Sequence, residues 1–129
     1  MQRELKKCQL DLVVVSNERI SHRHVLLRLT HSKPLPTMVP GQFVEVRIDE
    51  TPDVMLRRPI SIHHVNYPKN ELWLLVATIG KGTSWMGSLS EGDLVNVLLP
   101  LGNGFDLTQC GGKPLLVGGG VGVAPLYDL

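Results

Sequence analysis

"VMLRRPISIHH" (Val54–His64) places two arginines and a proline in a run that otherwise alternates like a strand. Neighbouring side chains in a strand point to opposite faces, so Arg57 and Arg58 cannot both share one environment. Proline has no N–H to give to a ladder and belongs at strand edges, ends or bulges. The stretch therefore reads as a strand with an open edge or a bend at Pro59. Its neighbours read the same way: "QLDLVVVSNERI", "HRHVLLRLT", "GQFVEVRI", "ELWLLVATI" and "DLVNVLLP" are rich in Val, Leu and Ile. Between them stand "KPLPTMVPG", "DETPD", "NYPKN" and "SEGD", which carry turn residues. Six short strands so punctuated predict an all-β, six-stranded antiparallel Greek-key barrel. One short helix is expected, with Thr83 capping "SWMGSLS" and Gly92 following its end.

Composition sets the outer bounds. At 129 residues, 43% hydrophobic and 19% charged, the chain is sized for one globular domain. A net charge of +1 gives no overall pull toward nucleic acid or an acidic membrane. No apolar run approaches the ~20 residues of a membrane helix, and "MQRELKKCQL" lacks the apolar centre of a signal peptide. Cys8 and Cys110 are read as two buried thiols rather than a disulfide. The expected protein is cytoplasmic, with no nucleic-acid or membrane partner.

The end of the chain leaves the barrel pattern. "KPLLVGGGVGVAPLYDL" reads as a buried strand, a glycine turn and the start of a helix, as an α/β nucleotide-binding unit begins. A lone strand would leave unpaired backbone groups and an apolar edge. Residues 1–112 are thus expected to form the barrel domain and 113–129 the first strand-turn of a truncated lobe of a longer protein.

Four stretches could carry chemistry. Arg57 and Arg58 fit two readings: a guanidinium gripping phosphate oxygens, or strand-end charges paired with Asp53 or Glu50. "IGKGT" (Ile79–Thr83) combines two glycines with a helix start, where backbone N–H groups can cradle an anion; plain hairpin chemistry is the competing reading. "LPLGNGF" (Leu99–Phe105) is a glycine loop whose Phe105 is expected to plug the barrel end, and "GGGVGVAP" opens the terminal segment. Trp73, Trp85 and Met86 read as core or helix-packing residues. His22 and His24 would share a strand face, but no third metal ligand accompanies them, and surface or structural roles suit all five histidines.

Taken together, "PGQFVEV", "LRRPISI", "IGKGT", "LPLGNGF" and "LLVGGGVGVAPL" resemble, in order, the ferredoxin–NADP reductase superfamily. Within it they are most similar to the electron-transfer subunits of class B dihydroorotate dehydrogenases. The resemblance spans about Leu10 to Tyr127. It implies FAD on the barrel, with Arg58 on the position that neutralises the pyrophosphate and Ser61 near the reactive edge of the ring. Pro59 lies between the two arms of that motif, and Ile60 takes the position that is aromatic in the wider superfamily. The resemblance also implies that Gly82 and Thr83 cradle the pyrophosphate and that Leu75, Val76 and Ala77 form the neighbouring strand, whose backbone edge faces the flavin or its adenosine part. Gly120, Gly122 and Pro125 match the start of a pyridine-nucleotide lobe. NAD(H) and a [2Fe-2S] cluster are implied only for the full-length protein, since two cysteines cannot supply four thiolates. The implied partner is a catalytic FMN-containing dihydroorotate dehydrogenase subunit, in a heterotetramer serving pyrimidine biosynthesis. No catalytic or metal-binding residue is assigned to this chain. Two other readings stand beside this one: the flavin subunit of a related NAD(P)H:ferredoxin oxidoreductase or sulfhydrogenase, and a non-enzymatic β-barrel binding domain.

Strict alternation raises one difficulty. It puts Arg58 and Ser61 on opposite faces, so contact with one ligand requires a bend at Pro59 or a backbone contact.

Overall fold

A computed structural model describes residues 7–129. Six strands, β1 (Cys8–Ser21), β2 (His24–Thr30), β3 (Phe43–Val46), β4 (Arg58–Asn66), β5 (Glu71–Ala77) and β6 (Leu94–Leu101), close into a barrel. The order around it is β1-β2-β5-β4-β3-β6, and every pairing is antiparallel. This is the Greek-key barrel that the strand spacing predicts.

Alternation builds the interior. On β5, Leu72, Leu74 and Val76 are fully buried, while Glu71, Trp73, Leu75 and Ala77 between them are only partly covered. Val44 and Val46 of β3 and Val95, Val97 and Leu99 of β6 face the same interior. Each such Val or Leu contributes about 1.5–3 kcal/mol relative to exposure, and closure removes the sheet edges.

The helix α1 (Lys81–Gly87) packs by the buried Met86. Its start differs from expectation: Gly80, not Thr83, is the N-cap. Thr83 sits in the first turn, and its hydroxyl accepts hydrogen bonds from the amides of Ile79 (3.1 Å) and Gly80 (3.0 Å). A side chain there can reach back to N–H groups that precede the helix, which a residue at the cap itself cannot do. At the other end, the Asn17 side-chain amide donates to the carbonyls of Met86 (3.0 Å) and Leu89 (2.9 Å). A residue from β1 thereby satisfies carbonyls the helix terminus leaves open.

Other expectations change in the structure. Residues 113–118 form no strand; Leu115 and Val117 are 86% and 81% exposed. A strand is held by its neighbour's hydrogen bonds, and no described strand lies beside this run. The glycine turn leads into a 3₁₀ helix, Gly120–Leu126. Cys110 is exposed and Cys8 half-buried, so the two are not both buried as expected. Phe105 does not plug the barrel: it is 42% exposed and packs against Gly41. Trp73 faces outward, its indole N–H donating to Glu71 at 3.0 Å and its ring lying beneath the Arg28 guanidinium at 4.4 Å. Among the described residues, no helix is long and apolar enough to cross a membrane.

Candidate functional site

Pairing along β4 switches sides halfway. Arg58–Ser61 pair with β3, opposite Val46, Glu45, Val44 and Phe43. Only from Ile62 onward does β4 pair with β5, in a register that runs from Ile62↔Leu74 to Asn66↔Glu71. The far half of β5 pairs with β2 instead, through Leu75↔Leu26, Val76↔Val25 and Ala77↔His24. Residues 58–61 and 75–77 therefore have no ladder partner on one another, and the two strands splay. Pro59 fits this open edge because it has no amide hydrogen to leave unpaired.

The splay holds a groove of about 290 Å³. Pro59, Ile60 and Ser61 form one side, Leu75 and Ala77 the other, with Ile79 and Thr83 at one end. Val121, Gly122, Ala124 and Pro125 of the terminal segment complete it. Ile60 and Ser61 both reach the groove because it runs along the strand's open edge rather than over one face. Arg58 does not line the groove but adjoins it across Gly82, and the register irregularity of β4 lies between Ile62 and His64 rather than at Pro59.

The two arginines separate as alternation requires. Arg57 reaches over the outer wall, where Nη2 donates to Asn96 Oδ1 at 2.6 Å and Nη1 to the Glu45 carbonyl at 3.2 Å. Asn96 is 5% exposed and passes the network on, its amide donating to Asp11 at 2.8 Å. Arg57 is thus absorbed by the barrel's own hydrogen bonds. Arg58 lies opposite Val46 at the barrel mouth. Among the described residues it makes no ion pair, and its single hydrogen bond runs from Nη1 to the Leu56 carbonyl at 3.2 Å. The expected pairing of an arginine with Asp53 is not present, because Asp53 pairs with Lys81. That contact, chiefly the hydrogen bond from the Lys81 ammonium, holds the Asp53 carboxyl below its ordinary range.

Arg58 lies against Gly82. A Cβ at residue 82 would stand 3.0 Å from Arg58 Cγ, 3.1 Å from its Nε and 3.2 Å from Ile48 Cγ1. Close approach rather than a special φ favours glycine here, since a Cβ would make the Arg58 and Ile48 side chains shift by a few tenths of an ångström. The first intrahelical bond of this turn runs from the Ser84 amide to the Gly80 carbonyl at 2.8 Å, leaving the amides of Gly82 and Thr83 without helical acceptors. A guanidinium and two open amides therefore meet at the groove's end, beside its Pro59 and Thr83 lining, while the Lys81 ammonium is engaged by Asp53.

Of the residues singled out from sequence, Pro59, Ile60, Ser61, Leu75, Ala77, Thr83 and Gly122 line one groove, with Arg58 and Gly82 adjoining it. Val76 has its side chain wholly in the core, which leaves its backbone for the strand edge that the resemblance implies. Gly120 lies in the terminal segment outside the lining, with φ 55°. Sequence reasoning missed Ile79, Val121 and Ala124, whose only signal was proximity to the glycine turns. It also missed His63 and His64 as contacts of the terminal segment, since one β-bulge decides both.

No family model matches the chain. Among curated proteins it is 43% identical over 118 residues to the dihydroorotate dehydrogenase B (NAD(+)) electron transfer subunit of Lysinibacillus sphaericus (strain C3-41), covering 90% of this chain and 46% of that protein. It is 53% identical over 91 residues to the subunit of the same name from Desulforamulus reducens (strain ATCC BAA-1160 / DSM 100696 / MI-1), covering 70% and 35%. The chain thus spans about half the length, or less, of these relatives. Among solved structures, an NADH-dependent reduced ferredoxin-NADP oxidoreductase studied for flavin-based electron bifurcation matches with a TM-score of 0.79 at 30% identity, over 91% of this chain and 41% of that one. By sequence, then, this chain is a homologue of proteins named dihydroorotate dehydrogenase B electron transfer subunits, and its barrel is similar to that of the solved ferredoxin-NADP oxidoreductase.

Proposed function

We propose that this chain is the FAD-binding module of a dihydroorotate dehydrogenase B electron-transfer subunit. One observation carries the reading: Arg58, with no acid to neutralise it, is packed across Gly82 at the end of a groove between splayed strands. A dinucleotide with a doubly anionic centre and a flat apolar ring suits that arrangement. The Arg58 guanidinium and the Gly82 and Thr83 amides hold the pyrophosphate. Ile60, Leu75 and Ala77 offer apolar surface to the ring, and the Ser61 hydroxyl, which has no partner among the described residues, is left to meet its polar edge. Val76 contributes backbone only, since its side chain is in the core.

Bound FAD supplies acceptance of a hydride and release of single electrons; the chain supplies placement and charge. Residues 113–129 are read as the start of the pyridine-nucleotide lobe, with Gly120 and Gly122 at its first turn. The exposed Leu115, Leu116 and Val117 suit burial under such a lobe. NAD(H) and a [2Fe-2S] cluster belong to that larger protein, as do the FMN-containing catalytic subunit, the heterotetramer and the cytoplasmic role in pyrimidine biosynthesis. A second reading, the flavin subunit of an NADH-dependent ferredoxin oxidoreductase, is favoured by the 30% identical solved structure. The 43% and 53% identical relatives favour the first.

The test is addition of FAD to the purified chain. A flavin absorbance band that co-elutes with protein is expected, with stabilisation of about 2.7 kcal/mol at a hundredfold excess over Kd. A colourless chain whose melting midpoint ignores FAD would favour the non-enzymatic barrel. Copurification with either a dihydroorotate dehydrogenase or a ferredoxin-linked partner separates the other two readings.

A further inference from the structure

His63 and His64 follow directly on the groove residues yet line none of it. Adjacent strand residues ordinarily face opposite ways, but the register shift between Ile62 and His64 leaves both histidines partly exposed on the outside. There they meet the end of the chain. His63 Nδ1–H donates to the Ala124 carbonyl at 3.0 Å, and its ring lies 4.8 Å from that of Tyr127. His64 Nδ1–H donates to Asp128 Oδ1 at 2.7 Å, while Asp128 Oδ2 accepts from the Val65 amide at 3.3 Å. Trp73 and Tyr127 stand edge-on to His64, at 4.7 and 5.4 Å. Ala124, between the two attachments, is 1% exposed.

The segment so held supplies Val121, Gly122, Ala124 and Pro125 to the groove. Besides its packing on β4 and β5, these contacts are what tie it to the barrel. The residues before it are exposed and irregular, and its glycines lose more backbone freedom on ordering than any other residue. We infer that His63, His64 and Asp128 form a clasp that positions this wall against β4 and so sets how firmly the groove encloses its ligand. These are positioning residues; none of them reaches the groove. The identity of the ligand rests on the flavin reading, but the clasp does not.

Hydrogen–deuterium exchange on the full chain without flavin tests the clasp directly. Exchange across residues 120–126 is expected to quicken about tenfold in Asp128→Ala and in His64→Ala, as loss of a charge-assisted hydrogen bond implies. The double variant should exchange no faster than Asp128→Ala alone, because removing Asp128 already breaks the His64 bond along with the Val65 one. Protection in β1, β2 and β6 should stay unchanged, which separates loss of the clasp from failure to fold. Unchanged exchange at 120–126, or strictly additive singles, overturns the proposal. FAD titration gives the second arm: Asp128→Ala should weaken binding several-fold, with Asp128→Asn between it and the parent because it keeps one acceptor. Faster exchange with unaltered FAD affinity would overturn the positioning role. If the parent chain binds no FAD, the flavin reading falls, and exchange alone decides whether the clasp holds the wall.

Discussion

Arg57 and Arg58 are neighbours of one residue type, and the barrel uses them in opposite ways. Around Arg57, donors and acceptors are matched within the chain: Arg57 bonds Asn96 and Glu45, and Asn96 bonds Asp11. Around Arg58, no acid pairs with the guanidinium among the described residues, and a glycine leaves room for the side chain at the groove's end. A matched corner stabilises the fold; an unmatched one persists where something outside the chain completes it. A doublet of arginines in a strand is therefore two signals, separated by the two-residue period of the sheet.

The comparison can be broken by substitution at either corner. Arg57→Ala should have the largest effect, lowering folding stability by about 2–3 kcal/mol because buried acceptors on Asn96 and Glu45 lose their donor; chemical denaturation measures it. FAD affinity should scarcely change. Arg58→Ala should invert that result, weakening FAD binding by about 2–3 kcal/mol in a titration while stability moves by less than about 0.5 kcal/mol. If Arg58→Ala instead unfolds the chain and spares FAD, the contrast fails.

Gly82→Ala sharpens the same contrast without touching a charge. Its Cβ would press on the Arg58 stem, so an intermediate loss of FAD affinity of about 1 kcal/mol is expected. The smallest effect belongs to Asp53→Asn. The Lys81–Asp53 pair is exposed on both sides and screened by salt. The Asp53 carboxyl is held low by Lys81, so whatever the pair adds is present above the ordinary carboxylate range. It is lost as pH falls through the lowered folded value. At neutral pH the melting midpoint of Asp53→Asn should match the parent's within measurement error. A loss like that of Arg57→Ala would make this corner structural too.

Legibility followed the range of each interaction. The six strands could be read because inside-outside alternation and turn residues are local, and the observed spans differ from the quoted runs mainly at their ends. Trp73 was misread as core because a strand's two faces are equivalent in sequence; Arg28 and His64 give its outward ring a setting. Thr83 was placed at the wrong helix position because its two bonds to preceding amides define the start only in three dimensions. Residues 113–118 read as a buried strand because their apolar side chains suit one, yet burial needs a neighbour.

By itself the sequence determined a small antiparallel barrel, a proline-marked open strand, two glycine turns and an arginine doublet beside them. Tertiary structure alone decided that β4 changes partners at Ile62 and that the resulting splay forms a groove. It also decided that a bulge turns His63 and His64 toward the last turn of the chain. The physical reason is common to all three. Alternation and turn propensity act over a few residues, whereas register and strand partner are fixed by closing the whole sheet on its core.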